Sequence, residues 1–337
     1  MASKTSPLKT AFACAVLFLL SASKYTCGCY KSIISFGDSI ADTGNLLYIE
    51  STSSNKKPPV SGFLPYGETF FHHPTGRFSD GRLIIDFIAQ DMGLPFVPPF
   101  HGEGNVSRRS FREGVNFAVG GSTALEDSFF AKIGVKIPYA NVSLVAQLSW
   151  FKEFLSTICH TPSNCKKFLQ TSLVLMGEIG GNDYNHAFFQ GKNEDEVGLF
   201  IPQVVKAIGV TIEELIKLGA TTLMVPGNFP IGCSPYYLTY FEHYGEKYIR
   251  DPKTGCINWL NTFSEYHNSL LQTELERIRH IHTHTTIIYA DYYNAAMSIY
   301  RSPNKYANEI VTSSTKDHSA QRNATAALRR FTEVGAP

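Results

Sequence analysis

A seryl hydroxyl acts as a nucleophile only where a turn presents it, and the run Phe36-Gly37-Asp38-Ser39-Ile40-Ala41-Asp42-Thr43-Gly44-Asn45 forms such a turn directly after the apolar stretch Ser32–Phe36. If that stretch is a strand of a parallel sheet, its carboxyl end opens into the crevice where such sheets bind ligands. Ser39 is then the candidate for nucleophilic chemistry. A helix beginning in the same turn would aim its first N–H groups at the reacting oxygen. The competing reading is a plain strand-to-helix turn capped by Ser39 or Asp42.

Other residues with chemical potential are fewer. His280, His282 and His284 alternate before a late apolar run. That pattern fits a metal cluster, but solvated loop histidines account for it more simply. Asp317-His318 is an acid–histidine pair, yet adjacent side chains point apart and orient each other poorly. Of seven cysteines, Cys14 lies in the N-terminal apolar run, leaving Cys27, Cys29, Cys159, Cys165, Cys233 and Cys256. An even count in an oxidising compartment reads as disulfides. Cys159 and Cys165 flank a short Thr-Pro-Ser-Asn loop, and Cys233 and Cys256 bracket a Tyr-rich stretch, so each pair can close its own segment. Cys27 and Cys29 are too close to bond each other easily, and their partners stay open. No Cys-x-x-Cys pair lies near His at zinc spacing, so no metal is expected.

The elements that must position Ser39 are written in the hydrophobic pattern. Ser32–Phe36, Val115–Ala118, Leu173–Met176, Thr221–Val225 and Thr286–Ala290 are short continuous apolar runs, as strands buried on both faces read. Helical spacing runs over 80–92, 199–218 and 259–281, and Gly219 is placed to cap the second of these. Strands alternating with helices predict a single α/β domain: three layers, α/β/α, around a central parallel sheet. Residues 51–74 are polar, Pro-rich and aromatic, and are expected to form a long loop over one end of the sheet, serving either as a functional lid or as surface decoration.

Taken together, several blocks say more than any one of them. Ile34–Asn45, Pro74-Thr-Gly-Arg-Phe-Ser-Asp-Gly-Arg82, Gly114-Val-Asn-Phe-Ala-Val-Gly-Gly-Ser-Thr123, Gly177-Glu-Ile-Gly-Gly-Asn-Asp183 and Val225-Pro-Gly-Asn-Phe-Pro-Ile-Gly232 follow one another in order. From about Lys31 to about Lys305 the chain resembles the plant GDSL esterase/lipases of the SGNH hydrolase superfamily, in the subgroup that includes sinapine esterase and acetylajmalan esterase. The resemblance implies the SGNH, flavodoxin-like hydrolase fold over 30–306 and carboxylic ester hydrolysis without a cofactor. It makes Ser39 the nucleophile of an acyl-enzyme. It gives Gly121 as a backbone N–H donor to the oxyanion and Asn182 as a side-chain donor, with the Ser39 N–H as the remaining one. Read alone, Gly120-Gly121 is a loop and Asn182-Asp183 a helix cap. An α/β-hydrolase fits less well, since its nucleophile sits in a mid-chain Gly-x-Ser-x-Gly elbow.

A serine hydrolase also needs a base, normally a His oriented by a carboxylate. The family takes both from an Asp-x-x-His pair near the C-terminus, and that block is missing here. Residues 307–337 read instead as an atypical polar tail whose only aromatic residue is Phe331. The expectation is therefore a secreted esterase of uncertain turnover, and the alternative is an impaired or inactive glycoprotein isoform that at most binds a ligand.

At the N-terminus, Lys4 and Lys9 precede the apolar run Thr10–Leu20 and the small residues Ser21-Ala22-Ser23, a secretory signal peptide over 1–23. The run is shorter than the ~20 residues that span a bilayer, and no integral membrane association is expected. Sequons at Asn105, Asn141 and Asn323 would carry N-glycans in an exported chain. The formal net charge of +1 leaves no electrostatic footprint for nucleic acid, so the expected partner is a small-molecule or lipid ester.

Overall fold

All five apolar runs become strands of one parallel sheet in the computed structural model, which describes residues 30–53, 57–102, 110–138, 142–242 and 249–305. The strands are β1 (Ser32–Ser35), β2 (Gly114–Asn116), β3 (Ser172–Leu175), β4 (Thr222–Pro226) and β5 (Thr286–Ala290), in the spatial order β2-β1-β3-β4-β5. The signal segment 1–23, Cys27, Cys29, the three sequon asparagines, the Asp317-His318 pair and the tail 307–337 lie outside the described residues.

Parallel strands need crossovers, and the crossovers are helical. In chain order they are α1 (Asn45–Thr52), α2 (Ile84–Asp91), α3 (Asp127–Lys132), α4 (Leu144–Ile158), α5 (Pro162–Gln170), α6 (Gly181–Phe188), α7 (Glu194–Gly198), α8 (Ile201–Leu218), α9 (Pro235–Tyr240), α10 (Asn258–Ile281) and α11 (Tyr292–Arg301). Successive side chains of a strand point to opposite faces. Accordingly Ile33, Leu173 and Leu175 pack with Ile85 and Ala89 of α2, while Ile34, Val174, Leu223 and Ile287 join a larger core with α4, α6, α8 and α10. Layers lie on both sides of the sheet, as the pattern requires.

Two of the three expected helices begin where local chemistry dictates. The first starts at Ile84 rather than at residue 80. Asp80 is held back by the Thr69 N–H donating to its carbonyl, and the Asp86 carboxylate accepts from the Leu83 N–H at 2.8 Å. The second starts at Ile201, with Pro202 in its first turn, and ends at Gly219, whose φ of 118° is the left-handed cap. The third runs from Asn258 to Ile281, one residue longer than the spacing suggested.

One expectation is corrected. β5 is not buried on both faces: Ile288 is 39% exposed. It is an edge strand whose Ile287 faces the α10 layer, while no described element covers Ile288 on the other face. The cysteine pairs come together as expected. Cys159–Cys165 joins α4 to α5 with Cα atoms 5.2 Å apart, and Cys233–Cys256 closes its segment with Cα atoms 4.3 Å apart.

The register decides where chemistry can occur. Ser35 pairs with Asn116 and Leu175, and Leu175 with Met224, so the carboxyl ends of β1, β2 and β3 finish level while β4 runs on to Pro226. The loops that follow β1, β2 and β3 leave the sheet side by side.

Candidate active site

Those three loops carry three of the five blocks, and their crossing is tight. Gly177 after β3 has φ 57°, and a Cβ there would run into the Phe36 carbonyl, so only glycine lets the β1 and β3 loops touch. From α4, the buried Gln147 side chain accepts from the Gly37 N–H (2.9 Å) and donates to the Gly37 carbonyl (2.8 Å) and to Ser122 Oγ (3.0 Å). One amide thus fixes the turn before Ser39 and the loop after Gly121.

The turn itself is not the start of a helix. α1 begins at Asn45, and Asp42 accepts from the N–H groups of Gly44, Asn45 and Leu46, and also from that of Gly120. Asp42 is therefore the cap, and the α1 N-terminus does not serve Ser39. Burial pushes the Asp42 carboxyl up to about 6 against the pull of these four donors. Asn116 and Asn45 complete the scaffold: Asn116 Nδ2 donates to the Ala41 carbonyl (2.6 Å), and Asn45 Nδ2 to the carbonyls of Asn116 and Ala118 (2.8 Å each). The Pro74–Arg82 block also braces this scaffold. Buried Arg77 makes a bidentate pair with Asp86 at 2.9 and 2.8 Å, anchoring the N-terminus of α2.

Ser39, Gly121 and Asn182 all line one cleft of about 610 Å³. Ser39 is half-buried, and its hydroxyl has no hydrogen-bond partner among the described residues. Neither the Ser39 N–H nor the Gly121 N–H has an acceptor there. Such paired, unclaimed donors suit a developing oxyanion. Asn182 differs: its Nδ2 donates to Asp38 Oδ2 (2.9 Å) and to the Ser122 carbonyl (3.1 Å).

Helix α6 is the piece that sequence reasoning underrated. It starts at Gly180-Gly181, so Asn182 and Asp183 fall in its first turn. Asp183 accepts from the N–H groups of Ala124 (2.8 Å) and Leu125 (2.9 Å), pinning the β2 loop. Burial raises its carboxyl to about 7. One turn beyond Asn182, His186 Nε2 lies 3.2 Å from the Gly121 carbonyl. Burial lowers the His186 pKa, so the ring is neutral and donates from Nε2. Tyr184 pairs with buried His267 of α10 at 2.7 Å and locks the helix in place; burial takes His267 down to about 3.

A further correction belongs to the sequence itself. Asp183-Tyr184-Asn185-His186 is an Asp-x-x-His run, mid-chain rather than at the family's C-terminal position. It does not act as an orienting pair, because Asp183 faces the Ala124 and Leu125 amides and His186 faces the Gly121 carbonyl. The spacing was visible; that helix α6 turns the two side chains to different partners was not.

Behind Ser39 sits a carboxyl pair. Asp38 Oδ1 accepts from the Ile40 N–H (2.9 Å), the Asp38 N–H donates to the Glu178 carbonyl (3.0 Å), and the Asp38 and Glu178 side chains hydrogen-bond each other. Two buried carboxyls this close cannot both ionise. Burial, then the neighbouring Glu178 charge, raises Asp38, and burial raises Glu178. One proton is shared next to the Asn182 amide.

Among the described residues no group of three His, Cys, Asp or Glu side chains could hold a metal, and no helix is long and apolar enough to cross a membrane. His280 faces Glu276 at 3.3 Å on α10.

The family model for GDSL-like lipase/acylhydrolase matches residues 33–322. Among similar curated proteins, a GDSL esterase/lipase of Arabidopsis thaliana is 56% identical over 83% of this chain and 70% of its own length. A second from the same plant is 54% identical over 84% and 71%. Sinapine esterase of Brassica napus is 51% identical over 91% and 78%.

Proposed function

From the premise that the chain belongs to the GDSL-like lipase/acylhydrolase family and hydrolyses carboxylic esters, we infer that it is a secreted serine esterase acting through an acyl-enzyme on Ser39. The Ser39 hydroxyl oxygen adds to the ester carbonyl while its proton passes to a base. The tetrahedral intermediate collapses, the alcohol leaves with a proton, and water then releases the acyl group. No cofactor enters this scheme.

One observation carries the reading: an unpaired Ser39 hydroxyl shares a cleft with two backbone N–H groups, of Ser39 and Gly121, that no protein acceptor claims. Asn182 contributes a third donor by sharing the hydrogen now directed at the Ser122 carbonyl, the longer of its two bonds. Removing one oxyanion donor costs about 10²–10³ in rate in serine hydrolases. The base is not assigned by these contacts. His186 lines the cleft with its Nε2 engaged by Gly121, while His318 lies outside the described residues.

The test is labelling of purified folded protein by a fluorophosphonate. An adduct on Ser39, absent in Ser39→Ala, is the expected result; folded protein with no adduct at Ser39 rejects the mechanism. Export rests on the signal pattern over 1–23, and the domain is read as 30–306 followed by the polar tail. N-glycans at Asn105, Asn141 and Asn323 would then show as a mobility shift on enzymatic deglycosylation of protein from a eukaryotic secretion host.

A further inference from the structure

Asp38 and Glu178 sit directly behind the nucleophile and take no part in the acyl transfer itself. Both are buried, at 2% and 7% exposure. Acidic side chains are seldom buried unless they are paired. Here the charged neighbours acting on Asp38 are Glu178 and Asp183, both acidic. Among the described residues no Lys, Arg or His side chain bonds to either member of the pair.

The pair holds Asn182 from two sides. The Glu178 carboxyl accepts from the Gly181 N–H, and a Cβ on Gly181 would press on both of its oxygens, at 2.9 and 3.2 Å. The peptide leading into Asn182 is therefore seated on Glu178. The Asn182 side chain is seated on Asp38, whose Oδ2 accepts from its Nδ2 at 2.9 Å. The hydrogen bond between the two carboxyls closes the circuit. It runs from the first turn of α6 through Glu178 and Asp38 to the amide that lines the cleft.

Charge gives the circuit a sign. With one shared proton the pair carries a single negative charge. A second charge would have no cation to balance it and would oppose an oxyanion forming at the Ser39 and Gly121 amides. It would also draw the Asn182 amide harder onto Asp38.

We propose that Glu178 and Asp38 are positioning residues for the ester hydrolysis: their shared proton keeps the pair singly charged and holds the Asn182 amide as a donor to the oxyanion, and loss of that proton slows the reaction. The purpose rests on the esterase reading, whereas the coupling to Asn182 stands without it.

Other titratable groups lie close to the pair. Burial raises Asp183 of α6 to about 7 and Asp42, in the Ser39 turn, to about 6. Tyr184 of α6 and Tyr292 of α11 feel the Glu178 charge, and burial keeps both hydroxyls protonated. His186 is neutral. Glu178→Gln separates the pair from all of these, because glutamine fills the same space and fixes the pair at one negative charge.

The experiment follows the rate of Ser39 labelling by a fluorophosphonate against pH in wild type and Glu178→Gln. Beside it, NMR follows the side-chain amide resonance of Asn182, identified by its loss in Asn182→Ser. Wild type should slow on the order of tenfold as the shared proton leaves, above the ~4 of an ordinary carboxyl, and the Asn182 resonance should move over the same range. Glu178→Gln should remove that fall and that part of the movement, while Asp42 and Asp183 act alike in both proteins. A Glu178→Gln profile that falls like wild type overturns the proposal, as does a folded Glu178→Gln that labels more slowly than wild type at every pH. An Asn182 resonance that moves identically in the two proteins overturns it as well. Wild type that never labels, with the Asn182 resonance still following Glu178, rejects the esterase mechanism and leaves the coupling standing.

Discussion

His186 acts at a distance of one peptide from the chemistry. Its Nε2 holds the carbonyl of the residue whose N–H is the candidate oxyanion donor, and Gly121 itself sits at φ 81°, a conformation with little intrinsic preference. His186→Ala should lower kcat about 10- to 100-fold with little change in KM, since the loss falls on preorganisation. His186→Gln keeps a donor and should restore most of the rate. If His186 were instead the general base, Gln would fail as fully as Ala. Steady-state kinetics on a p-nitrophenyl ester, or the rate of fluorophosphonate labelling, separates the two outcomes.

At the scale of elements, α4 and α6 are clamps on loops that other elements supply. Gln147 alone makes three hydrogen bonds to two loops from a fully buried position. Gln147→Leu leaves the Gly37 N–H unpaired in the core, at about 1–3 kcal/mol for a buried group left unsatisfied, while the Gly37 carbonyl keeps the Val119 N–H at 3.1 Å. The expected result is a fall of several degrees in Tm together with slower Ser39 labelling. A stable variant that labels at the wild-type rate would show that the turn is set by β1 alone. The same view explains the Pro74–Arg82 block, whose Arg77–Asp86 pair starts α2.

For the whole molecule, buried carboxyls at the loop crossing make stability depend on pH in an unusual direction. Asp42 at about 6 and Asp183 at about 7 lie above the ~4 of an unfolded carboxyl, and the Asp38–Glu178 pair is raised too. Between pH 4 and 7 the native state therefore holds more protons than the unfolded chain. Their contribution is fully present below about pH 4 and is lost as pH rises through about 6 and then 7. Asp183→Asn should flatten the slope of unfolding free energy against pH across that window, by denaturant titration at several pH values. An unchanged slope would mean that Asp183 keeps a normal carboxyl.

The order of blocks along the chain determined a great deal. Five apolar runs set the parallel sheet, because strands buried between helices must be continuously apolar, and Gly-Asp-Ser after the first run placed the nucleophile at a carboxyl end. Local pattern could not say that Ile288 lies uncovered, since an edge strand and a central one read alike. Nor could it say that Asp42 rather than Ser39 caps α1, that Gln147 ties two loops across 110 residues, or that Asp183 and His186 turn from each other to separate partners. Those contacts join residues far apart in sequence, and only the level register of β1, β2 and β3 brings them within hydrogen-bonding reach.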